Sequence, residues 1–317
     1  MIDGALAAVR AVHFAATLLL EGTLAFRVLV GGPVLASGTD ARSALRPLDG
    51  IIAAGAFLVA LLSGAAWLFL LAAEVADSTI SDAVADGTAW LLLTQTQFGF
   101  AWQVRAIGFL LLALCMIAAA RSPQPSASDT AACLLSIALT GSIAWSGHGA
   151  ATPAPLGTVH VAIDFLHLVA AGAWLGGLLP FLITLLILKR EDAFQLSRRF
   201  SALATASVFI LLPTGIANGW FALPGVAALT GTLYGKLLLA KVTLFLLMLA
   251  FAAVNRFVLV PQLASDALAK RSTTRLAIHT GCEIALGVVI LAIVGALGIL
   301  SPVEHHHSAA ALIRVLS

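Results

Sequence analysis

Runs of Leu, Ala, Val and Ile, each broken by only a few polar residues, recur eight times along the chain. A helix needs about 20 such residues to cross a bilayer, and the runs predict spans at 5–30, 48–73, 98–120, 130–145, 159–188, 200–223, 237–260 and 276–300. None shows the period-two alternation of an outer-membrane barrel strand, so the pattern predicts helices. Span one is long and carries His13, Glu21 and Arg27, which marks it as a retained helix and not a cleaved signal peptide.

Composition agrees with the pattern. Hydrophobic residues make up 61% of the 317 residues and charged residues 10%, against about 25% charged in soluble domains. That leaves too little polar surface to coat a soluble core of this size. A net charge of +2 offers no basic stripe for nucleic acid. The chain is therefore expected to be an all-α membrane protein, a single transmembrane domain over 1–317 embedded in the lipid bilayer.

The basic residues orient it. Twelve of the 17 lie in or beside the loops that follow spans one, three, five and seven: Arg27, Arg42, Arg46, Arg121, Lys189, Arg190, Arg198, Arg199, Arg256, Lys270, Arg271 and Arg275. Positive residues stay inside, so both termini are expected on the outer face, the periplasm of a bacterial inner membrane. The loop between spans two and three, with Asp77, Asp82 and Asp86, then also lies outside.

The two halves echo one another. In span one, His13 is followed by Gly22 and Leu24; in span five, His167 is followed at the same spacing by Gly176 and Leu178. Thr96-Gln97-Phe98-Gly99 with Arg105 precedes and enters span three, and Thr232-Leu233-Tyr234-Gly235 with Lys241 does the same at span seven. Intramembrane Arg and Lys are rare and costly, so this second match carries weight. The expectation is a 4+4 parallel repeat, 1–150 and 151–317, related by an axis along the membrane normal.

The sharpest chemical signal is His160-Val-Ala-Ile-Asp164-Phe-Leu-His167. Steps of four and three put all three side chains on one helical face, near the outer end of span five. Imidazole and carboxylate suit copper, zinc, nickel or iron. His148 stands in the outer loop just before this helix, His13 lies at a similar depth in span one, and His305 and His306 follow span eight as a metal-capture tail with Glu304 and His307. Glu21, Arg105, Lys241 and Glu283 are intramembrane charges expected to pair with one another or to line a polar path. Glu283 stands four residues after His279, on the same face and nearer the inner side. A single intramembrane His is also a common interhelical hydrogen-bond partner, and that reading stays open for each. Cys115, Cys133 and Cys282 are dispersed and only three Met occur, so no thiolate or thioether relay is indicated. No phosphate-binding loop is present, so no ATP-driven step is expected.

Several of these motifs together resemble the CopD family of copper-resistance and copper-uptake membrane proteins. Gly147-His148, then His160-x3-Asp164-x2-His167 running through Trp174, Gly176, Gly177 and Pro180, look like its central motif. Arg199-Phe200-Ser201, Thr214-Gly215, Tyr234-Gly235 to Lys241, and Asn255-Arg256-Phe257 to Pro261 resemble its later helices. The N-terminal half matches more loosely. The resemblance implies copper handling at the inner membrane, most often described as import. No fused soluble copper-binding domain is seen, so a separate periplasmic copper-binding protein is the expected donor.

Three functions are in play. In the first, copper is captured by His148 and the tail, held by His13, His160, Asp164 and His167, and moved inward without ATP. The second is a b-type haem oxidoreductase with His13 and His167 as axial ligands. The third is a copper sensor or assembly partner that binds without transporting.

Overall fold

A computed structural model describes residues 2–35, 39–122, 126–147, 156–223, 225–265 and 267–300. The described residues are almost entirely helical, and no strand occurs among them. Eight helices are long and apolar enough to cross a membrane: Asp3–Val34, Leu45–Val75, Gln97–Arg121, Ala127–Ser146, Leu156–Ile187, Glu191–Ala222, Leu233–Gln262 and Ala269–Leu297. Each falls on one of the runs read from the sequence, and most extend beyond it. Span six is the clearest case: its helix starts at Arg190, well before the apolar run. Hydropathy stops at the membrane boundary, whereas backbone hydrogen bonding continues through Arg198 and Arg199.

The segment between spans two and three is expected to be an outer loop. It instead folds into two short helices, Ile80–Ala85 and Thr88–Gln95. Thr79 caps the first by accepting a hydrogen bond from the Asp82 N–H, and Gly87, at φ 84°, makes the turn into the second. Ala72, Ala73, Ala83 and Leu92 bury the resulting contact.

Span one lies at the centre, packed against spans two, four, five and eight. Its closest neighbour is span five. A methyl group on Gly22 would overlap the Gly176 backbone, and one on Gly176 would overlap the Leu18 carbonyl. Helices in lipid gain little from hydrophobic exclusion, so they associate where small residues let backbones touch. Gly176 also ends a π-helical turn, Gly172–Gly176, and span one has its own at Phe26–Gly31. Replacing Gly176 with Val is therefore expected to separate the two helices. The measurement is the fraction of protein eluting as a single species from detergent, which falls sharply against wild type.

Towards its C-terminal end, span one is tied to span four. The Asp129 carboxylate pairs with Arg27 and with Arg46 at 3.6 Å, and accepts the Ser126 N–H at 2.8 Å to cap span four. The sequence reading had placed Arg27 and Arg46 on one side without a carboxylate between them.

Candidate functional site

The residues paired across the two halves sit in corresponding local settings. Thr96 accepts the Gly99 N–H at 2.9 Å and donates to the Leu92 carbonyl; Thr232 accepts the Gly235 N–H at 3.0 Å and donates to the Ala228 carbonyl. Each Thr thus starts its helix, three or seven, and fixes the depth of the cation six residues beyond the Gly.

The first of those cations contacts a histidine directly. Around His13, Nδ1 lies 3.0 Å from the Ala60 carbonyl and 3.1 Å from Ser63 Oγ. A carbonyl only accepts, so Nδ1 carries the proton and Nε2 the lone pair, a tautomer assigned from the network. Arg105 donates to that lone pair at 2.8 Å, and its other terminal nitrogen donates to the Leu139 carbonyl and Ser142 Oγ, each at 2.6 Å. Trp67 and Trp102 close edge-on around the imidazole, with the Arg10 guanidinium stacked over Trp67. His13 and Arg105 are fully buried. Every polar atom of the His13 ring is spoken for.

His167 is built alike but finished differently. Its Nδ1 lies 2.9 Å from Thr214 Oγ1, whose own proton goes to the Ile210 carbonyl at 2.6 Å. The hydroxyl can then only accept, so His167 also carries its proton on Nδ1 and presents Nε2 as a lone pair. Gly215 lies beside the imidazole as Gly64 does beside His13. Pro213 precedes Thr214 inside the helix and frees a carbonyl there. Where Arg105 caps His13, the second half has Lys241, within electrostatic reach of Asp164 and His167. No hydrogen bond from Lys241 to the His167 ring is formed. Asp164 accepts from Asn218 Nδ2 at 3.1 Å. His160 stacks on Phe221, ring centroids 4.3 Å apart.

Asp164, His160 and His167 thus share a face of span five against spans six and seven, while His13 stands apart against spans two, three and four. A side chain at Gly147 would come within 3.6 Å of Asp164 Oδ2, so the chain leading to His148 passes over the carboxylate. His148, His305 and His306 lie outside the described residues. Among the described residues, no three His, Cys, Asp or Glu side chains converge as a ready-made metal cage.

The expected pairing of the buried charges resolves unevenly. Lys241 lies within electrostatic reach of Asp164 without a salt bridge to it, and Arg105 serves His13 instead of a carboxylate. Glu283 accepts from Asn255 Nδ2 at 2.6 Å, and Asn255 Oδ1 in turn meets His279 Nδ1 at 2.9 Å. This chain borders a cavity of about 170 Å³ lined by Trp174, Phe200, Ser201 and Thr280 among others. Glu21 is fully buried and has no cation beside it.

Sequence reasoning missed Ser63, Ser142, Asn218 and Asn255 as partners. Ser63-Gly64 in span two and Thr214-Gly215 in span six form a hydroxyl–Gly pair at matching places, a signal that aligning the halves would have exposed. Asn255 stands in the Asn255-Arg256-Phe257 motif, which marks the residue but not its partners, and Asn218 carries no comparable signal.

The haem reading finds no support in this geometry. An axial role for His13 requires breaking its bond to Arg105 and stranding a guanidinium in the core, and each histidine is seated among its own neighbours.

Comparison with known proteins agrees with the chemistry. Residues 1–158 match the family described as copper resistance protein D-like, N-terminal domain, and residues 194–297 match the family copper resistance protein D. Copper resistance protein D of Pseudomonas syringae pv. tomato is 31% identical over 265 residues, 76% of this chain and 83% of its own. The inner membrane protein YebZ of Escherichia coli (strain K12) is 32% identical over 216 residues, 67% of this chain and 72% of its own. The copper transport protein CutJ of Bacillus subtilis (strain 168) is 34% identical over 169 residues, 51% of this chain and 31% of its own. No solved structure matches. With eight membrane-length apolar helices and relatives of this kind across most of its length, the chain is a multi-pass membrane protein that belongs to the copper resistance protein D family.

Proposed function

We propose that the protein carries copper inward across the bacterial inner membrane, both termini facing the periplasm, through a site on span five made by His160, Asp164 and His167. His148 captures the ion ahead of that site. The His305–His306 tail and a separate periplasmic copper-binding protein deliver the ion.

One observation carries this reading. Two imidazoles in corresponding settings hold the same tautomer, yet one has its Nε2 capped by Arg105 and the other leaves Nε2 free beside a carboxylate. Neutral imidazole nitrogen and carboxylate oxygen are ligands for copper. Lys241 on its flexible stem can swing from Asp164 as a cation arrives, a movement that Arg105, held through both terminal nitrogens, does not have. The two halves are then copies of one four-helix unit, the second keeping a working site and the first locked as its scaffold. Family and relatives support copper as the cargo. The inner-membrane placement is supported by the name of the Escherichia coli relative.

The test uses the full chain purified without a His tag and reconstituted into vesicles. Bound copper by elemental analysis and copper entry into the lumen are the expected results, with no Soret band. Bound copper without entry makes the protein a sensor or assembly partner. A Soret band restores the haem oxidoreductase, and absence of copper overturns the reading.

A further inference from the structure

Glu21 is the one fully buried carboxyl among the described residues that has neither a cation nor a firm donor. Its side chain is 0% exposed. Apart from the Thr140 hydroxyl, which also lies 3.5 Å from the Thr17 carbonyl, neither oxygen has a hydrogen-bond partner among the described residues. The carboxyl lies against Gly172 of span five, in space that any side chain at 172 would fill. One residue further on, Gly22 touches Gly176. Glu21 therefore sits in the seam where spans one and five cross, eight residues inward of His13, which is about 12 Å along the helix.

The fold does not need a polar group here. Counting from His13 and His167, or from Gly22 and Gly176, the residue at the same place in span five is Leu175, which packs against Gly287. An apolar side chain of similar size fills the second half of the seam. A carboxylate stripped of water with no partner is among the costliest groups a protein can bury, so this one is occupied by a proton or a cation. A metal has too few ligands: Cys133 is the one titratable group within electrostatic reach, and no third ligand joins them among the described residues.

The remaining charged groups on the elements around Glu21 are engaged elsewhere. On span four Asp129 is paired with Arg27 and Arg46, and on span three Arg105 is bonded to His13. Asp49 on span two interacts with Arg27, Glu283 on span eight is bonded to Asn255, and Asp164 on span five is bonded to Asn218.

We propose that Glu21 is a proton-binding site in the seam between the two halves, and that it releases its proton as the copper ion passes inward. This rests on the transport reading above. The carboxyl O–H bond breaks and the proton leaves to water admitted as the seam opens, while the copper ion passes without taking Glu21 as a ligand. Copper keeps its oxidation state throughout. The release leaves the seam with one positive charge fewer than unaccompanied copper entry would.

Infrared difference spectroscopy on the reconstituted full chain tests it. Wild type is expected to show the C=O stretch of a buried carboxylic acid before copper is added, lost in Glu21→Gln and in Glu21→Leu, the latter copying the residue of span five. Adding copper salt is expected to bleach that band in wild type and to release protons, read by a pH dye; both signals vanish in the variants while copper bound per chain is unchanged. A band identical in wild type and both variants overturns the proposal, as does a wild-type band that copper leaves untouched. Copper entry, measured in the same vesicles, separates the two readings: with no entry but a Glu21 band that copper bleaches, transport fails and the copper-linked proton release at Glu21 stands.

Discussion

Replacing His167 with Ala is expected to remove copper from the purified protein, and Asp164→Asn to weaken its binding by at least the ~10–100-fold that loss of even an outer partner of a metal ligand causes. The His13→Ala change is expected to leave bound copper close to wild type. That asymmetry is the point of the experiment, because sequence alone ranks the two histidines together. His167 offers a lone pair beside a carboxylate, whereas the lone pair of His13 already accepts from Arg105 at 2.8 Å. Copper titration of the three variants in detergent, followed by elemental analysis, decides it. Equal losses in His13→Ala and His167→Ala would mean that both halves bind. That outcome would falsify the division into a working unit and a scaffold unit.

The second large effect belongs to Arg105. Its guanidinium donates to three acceptors at once, the buried His13 Nε2 and Leu139 carbonyl and the part-buried Ser142 Oγ. Arg105→Ala strands His13 Nε2, while the Leu139 carbonyl and Ser142 Oγ keep their own hydrogen bond at 2.7 Å; a stranded buried group costs about 1–3 kcal/mol. A loss of about 1–3 kcal/mol follows, a fall in thermal midpoint of roughly 2–10 °C. Arg105→Lys keeps the charge but not the fork, and is expected to recover only part of the loss. Thermal melts in detergent measure both. A midpoint unchanged in Arg105→Ala would show that the network contributes nothing to holding spans one, three and four together.

These two predictions fall on residues of very different legibility. His160, Asp164 and His167 stand out in the sequence because helical spacing alone puts them on one face. Arg105 and Lys241 stand out because a charge inside an apolar run is rare. What each charge touches was not legible. Pairing of Arg105 with a carboxylate was a reasonable expectation, and its engagement with an imidazole and a carbonyl arises because Thr96 sets the start of span three at one depth. Glu21 looked like a partner for a nearby cation; the crossing at Gly22 and Gly176 instead turns it towards Gly172, where no cation reaches.

Hydropathy by itself determined the eight helices, because the cost of leaving backbone groups unpaired in hydrocarbon is paid locally, residue by residue, and apolar runs record it directly. The spacing of polar residues on one helix was likewise settled within the chain, since helical geometry is fixed. Which imidazole nitrogen is free, which cation caps it and which carboxyl goes unpartnered were decided only by tertiary structure. Those outcomes depend on how closely helices distant in sequence approach and at what depth, and lipid-facing runs of Leu and Ala are too alike to encode that. Small residues at the crossing of spans one and five made the decision, and with it the difference between a histidine held shut and one left open.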